Sequence, residues 1–150
     1  MSLSDDQLRA IGRLTVAFGQ LELSASLLLT VLVNPDNQNI GRVAFADAPF
    51  KRVLDTIQRL SPYTLGRKPE LQRQVKDWID KARDVAGRRN EVLHAFWVHD
   101  QPSGQMVALT HRATREAATR AAGLDQLAMD VARAVRQVDR VLLELLPHAN

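Results

Sequence analysis

Between Gly87 and Trp97 the chain reads GRRNEVLHAFW, a stretch that sets Arg89, Asn90 and His94 among apolar neighbours. A histidine can take or give a proton near neutral pH, an arginine keeps its charge and can neutralise anionic oxygen, and a carboxamide can hold a ligand or an imidazole. On a helix, Asn90 and His94 are four apart and share a face, whereas Arg89 falls on the neighbouring stripe. Charge neutralisation and proton transfer are thus offered side by side.

That neighbouring stripe is apolar. Leu71, Val75, Trp78, Ala82 and Val85 follow one helical register, and its next members are position 89, Val92 and Phe96. An arginine in a buried register needs a charged partner or an outlet to water, because breaking a buried pair costs about 3–5 kcal/mol. Glu22, set within a leucine-rich segment, is the candidate partner and would orient the guanidinium towards His94; Asp84 and Glu91 are alternatives. In a plainer reading Arg89 snorkels to solvent, Glu22 faces water and His94 is an ordinary helix-end residue.

Arg89-Asn90-x-x-x-His94 resembles the R-x4-6-H signature of the HEPN superfamily, including the polar residue that often follows the arginine. Ala95 departs from a glycine often found next. The resemblance implies a small helical bundle, over roughly the whole chain, with the motif late in a long helix. It also implies metal-independent RNA cleavage, in which the 2′-hydroxyl attacks the adjacent phosphorus to leave a 2′,3′-cyclic phosphate and a 5′-hydroxyl. Arg89, Asn90 and His94 would be the catalytic residues, with Glu22 supporting them and Arg88, Trp97 and His99 as substrate contacts. His111 is a secondary candidate.

A single histidine does not readily serve both the attacking and the leaving oxygen, which lie on opposite sides of phosphorus. The resemblance therefore implies a homodimer that brings two Arg89/His94 sets into one cleft, with Gly87 permitting close approach. It extends to toxins and effectors of bacterial defence systems, and so to an antitoxin protein as a further partner. The rival is a non-catalytic HEPN-like bundle that binds a nucleotide, a nucleic acid or a partner protein. A third option is an unrelated helical interaction module whose basic middle binds an acidic partner.

Composition narrows the field. A chain of 150 residues suits one domain, taken here as 1–150. With no cysteine there is no disulfide framework, thiolate metal site or cysteine nucleophile. His94 and His99 are five apart and fall on different faces, so no metal is assigned, and no nucleophile elbow or glycine-rich phosphate loop appears. No cofactor is expected. The start, MSLSDDQLRAIG, lacks the pattern of a targeting peptide, and the apolar window Leu21 to Val33 is too short to span a bilayer. A cytoplasmic protein without membrane association is expected. Residues 51–120 carry 14 Lys and Arg against 8 Asp and Glu, within a chain of net charge +3, and that local excess suits RNA.

The elements that must position the motif follow from periodicity. A first helix over Ser4 to Val33 opens with a capping box in SDDQ and ends at Asn34-Pro35. A loop with at most a short turn follows, and a short helix capped by Asp47 with Pro49 near its start then runs through FKRVLDTIQRL. SPYTLGRKP breaks the pattern before a long helix from about Glu70 to Phe96. Ala95 to Arg112 offers two β-prone runs joined by DQPSG, and Leu124 to Leu146 forms the last helix. The fold class expected is all-α, an antiparallel up-and-down four-helix bundle with a small β-hairpin or loop excursion before the last helix.

Overall fold

The computed structural model describes residues 3–99, 101–102, 104, 106–109 and 121–146. Its elements are α1 (Asp5–Val33), α2 (Gln38–Phe45), α3 (Phe50–Thr64), α4 (Pro69–Leu93), β1 (Phe96–His99), β2 (Met106–Leu109) and α5 (Ala121–Leu145). The described chain is mostly helical, with the helices packed on one another.

The start of α1 is the expected capping box. Ser4 Oγ accepts the Gln7 N–H at 3.2 Å, and Gln7 Oε1 accepts the Ser4 N–H at 3.0 Å. From there Leu14, Leu21 and Leu28 recur at intervals of seven and are fully buried, each contributing about 2 kcal/mol through the apolar area it hides. By length and composition alone α1 could cross a membrane, but 56% of its most apolar window is buried inside the protein. At its end Asn34 Oδ1 accepts the N–H groups of Asp36 and Asn37 and turns the chain.

The segment read as a loop contains α2. Asn37 caps it, with its side chain accepting the Asn39 N–H at 3.3 Å. Gly41 lets α2 lie against α1, for a Cβ there would stand 2.7 Å from the Thr30 Cα. The next helix also differs from expectation. Asp47 makes no cap; Pro49 occupies the N-cap in an extended conformation and α3 begins at Phe50. It continues through Pro62 to Thr64 instead of breaking at Ser61. Proline leaves the carbonyl four residues back without its amide donor, and here the Ser61 hydroxyl donates to that Gln58 carbonyl at 3.4 Å.

Four long helices pack in a ring: α1 against α5 and α3, and α4 against α5 and α3, with little contact between α1 and α4. Arg13 pairs with Asp125 at 2.7 Å and the Ser24 hydroxyl donates to Asp139 at 2.9 Å, so α1 and α5 run in the same direction. Arg88 with Asp130 and Lys81 with Gln137 set α4 and α5 antiparallel. The order is thus not the expected up-and-down alternation. The unforeseen α2 supplies one additional reversal between α1 and α3.

Trp78, fully buried, donates its indole N–H to the Ala134 carbonyl at 3.0 Å and fixes α4 on α5. Between α3 and α4, Arg83 binds Asp55 at 2.8 Å; this guanidinium first, and Lys51 second, hold the half-buried Asp55 carboxyl below its ordinary pKa. The expected hairpin is present, antiparallel, with Phe96 opposite Leu109 and His99 opposite Met106. Gln7 Nε2 donates to the Met106 carbonyl at 2.9 Å and ties it to α1.

Two glycine substitutions test this packing. Gly41→Ala should lose about 1–3 kcal/mol to overpacking against Thr30. Gly12→Ala, where a Cβ meets nothing within 4 Å, should gain up to about 1 kcal/mol from helix propensity. Thermal unfolding should show Tm shifts of opposite sign; equal shifts would place α2 elsewhere.

Candidate functional site

The core-facing stripe of α4 runs through Leu71, Val75, Trp78, Ala82 and Val85, all buried, and then arrives at Arg89. The residue opposite it on α1 is aromatic. Arg89 Cζ stands 4.7 Å from the centroid of the Phe18 ring, and Phe18 meets Phe50 of α3 edge-on at 5.2 Å. A guanidinium over a partly desolvated ring gains about 0.5–2 kcal/mol from the quadrupole.

One side-chain hydrogen bond turns the guanidinium outward: Nη1 of Arg89 donates to Asn90 Oδ1 at 3.0 Å. Its Nε is buried and, among the described residues, has no hydrogen-bond partner. Leaving a buried donor unsatisfied costs about 1–3 kcal/mol, so the position is energetically worse than an apolar residue would be.

Asn90 is exposed, as is His94 one turn later, where it caps α4 by donating its backbone N–H to the Asn90 carbonyl at 3.0 Å. Gly87 lies on the same side of the helix at the spacing 87, 90, 94. It too is exposed, and a Cβ there would meet nothing within 4 Å. The motif therefore combines a half-buried cation, anchored from below by Phe18, with an open strip carrying a carboxamide and an imidazole. Such a strip can neutralise an anion and exchange a proton with it.

The other candidate residues separate from this group. Glu22 does not pair with Arg89: it is exposed on α1, one turn beyond Phe18, and among the described residues no hydrogen bond or ion pair joins the two. The aromatic ring occupies the place the sequence reading gave to the carboxylate. Of the alternatives, Asp84 pairs with Arg88 at 3.4 Å, and Glu91 is exposed without a bond to Arg89. Arg88 itself is engaged, since both its terminal nitrogens donate to Asp130 Oδ2 at 3.0 Å and join α4 to α5. Trp97 is half-buried and packs on the core, while His99 is exposed at the end of β1. His111 lies outside the described residues.

Phe18 is the contributor that sequence reasoning missed. An aromatic residue on one helix and a core-register arginine on another form a usable signal only when taken together. No family model, curated protein or solved structure matches the chain.

The two adjacent arginines should respond differently to replacement by methionine. Arg88→Met removes a partner from the half-buried Asp130 and should cost about 1 kcal/mol. Arg89→Met removes an unsatisfied buried N–H and keeps a contact with Phe18 through sulfur, so stability should be unchanged or higher. Denaturant unfolding measures both; a larger loss at Arg89 than at Arg88 would make Arg89 a structural residue.

Proposed function

We propose that the protein is a metal-independent endoribonuclease of the HEPN kind, acting through a composite Arg/His site at a homodimer interface. One observation carries the reading: an arginine kept in a core register at a stability cost, with its guanidinium held by Phe18 and by Asn90, one turn before the exposed His94. Such a cost is common where a residue serves function instead of folding. We read the ring of α1, α3, α4 and α5 as the four-helix bundle of that superfamily.

In this mechanism the two copies meet about a twofold axis along the open strip of Gly87, Asn90 and His94. The 2′-oxygen of the substrate attacks phosphorus as one His94 takes its proton. The bond from phosphorus to the 5′-oxygen breaks as the other His94 donates a proton to that oxygen. The products are a 2′,3′-cyclic phosphate and a 5′-hydroxyl. The guanidinium of Arg89 neutralises the charge that builds on the non-bridging oxygens, and Asn90 keeps it there. The proposal extends to a cytoplasmic toxin or defence effector restrained by an antitoxin protein.

A second reading has its own support: among the described residues no hydrogen bond orients the His94 ring. In that reading the strip is a binding surface of a non-catalytic bundle. Purified protein incubated with mixed single-stranded RNA in EDTA separates the two. Under the proposal, cyclic-phosphate ends appear, and His94→Ala and Arg89→Ala each reduce the rate by about 100-fold or more. Cleavage indifferent to both changes would remove the site, and a monomeric mass under the same conditions would remove the composite cleft.

A further inference from the structure

A second charged feature lies lower on the bundle, in the groove between α4 and α5. Gln74 and Lys81 form one wall, and Arg133, Arg136, Gln137 and Arg140 the other, around about 560 Å³. Among the described residues Glu144 is the only carboxylate in the lining, against four cations.

The charges are not consumed by the fold. Among the described residues Arg136 and Arg140, both exposed, take part in no ion pair or hydrogen bond. Lys81 reaches only a neutral oxygen, Gln137 Oε1, at 3.3 Å. Arg133 alone is neutralised, by Asp130 at 2.9 Å. Arg136 and Arg140 stand one turn apart, a spacing at which like charges repel, and Glu144, one turn beyond Arg140, offers a single opposite charge to the row.

Steps of three and four residues carry Arg133, Arg136 and Arg140 along α5 over about 10 Å. The row borders a groove between two helices, which suits a strand better than a flat surface. Among the described residues no aromatic side chain lines it, so it can follow a phosphate backbone but offers no platform for bases. Its upper end is tied to the motif helix, because Asp130 is shared by Arg133 and Arg88, the residue next to Arg89.

We infer that the α4–α5 groove binds the sugar-phosphate backbone of a single-stranded nucleic acid, without base selectivity. The choice of a nucleic acid over another polyanion rests on the function proposed above; the anion preference rests on the groove alone.

The test uses the full chain in EDTA with two fluorescent strands that resist 2′-hydroxyl chemistry, a 2′-O-methyl RNA and a single-stranded DNA of the same mixed sequence. Arg136→Gln/Arg140→Gln should weaken both about 10-fold and lower the slope of log affinity against log salt by about 1.4, at about 0.7 per phosphate contact. Arg42→Gln/Arg59→Gln removes the same charge from exposed positions elsewhere and should change affinity less than 2-fold. Equal effects of the two pairs, or no strand binding by the unaltered protein, would overturn the inference. So would competition by polyglutamate matched to the strand in charge, which would assign the groove to an acidic protein. Strand binding that depends on the groove, in a protein that cuts no RNA, would sink the ribonuclease reading and leave the groove standing.

Discussion

Burial of one side of α1 is the constraint from which the rest of the structure follows. Its stripe from Ala10 through Leu14, Phe18, Leu21, Ala25 and Leu28 is almost wholly hidden, and a helix of 29 residues needs more than one neighbour to hide it. α5 covers it most extensively, running in the same direction, and α3 and α2 complete the cover. A parallel pair needs an odd number of intervening chain reversals beyond simple alternation, and α2, seated on Thr30 through Gly41, provides the additional one. The candidate site inherits its geometry from this arrangement, because the aromatic member of the α1 stripe is the surface on which Arg89 rests.

Where hydrophobic period and capping chemistry agree, the fold was legible. The capping box at Ser4, the register of α4 and the β-prone runs on either side of DQPSG each specify an element by local physics, and each element appears where expected within a few residues. The failures have equally local causes. α2 is short and amphipathic over too few residues to show a period, and its specification lies in a close approach between Gly41 and Thr30 that no linear pattern displays. Pro62 read as a helix breaker because the Ser61 hydroxyl that serves the orphaned carbonyl is visible only in three dimensions.

The site was legible to a lesser degree. Register alone placed Arg89 on the buried stripe and Asn90 with His94 on an adjoining face, as the structure has them. Register could not say which residue of α1 would stand opposite, and an expected carboxylate gave way to a ring. The basic groove escaped for a different reason. Residues 121–150 sum to a net charge of −1, so a count along the chain hides the fact that helical geometry puts Arg133, Arg136 and Arg140 on one side.

The amide of Gln7 has two duties at once, one oxygen closing the first turn of α1 and one nitrogen holding the backbone of β2. Helix ends ordinarily fray independently of distant hairpins. Here the two are coupled, since rotating that amide breaks both bonds. The hairpin that follows His94 is thereby mechanically linked to the first residues of the chain.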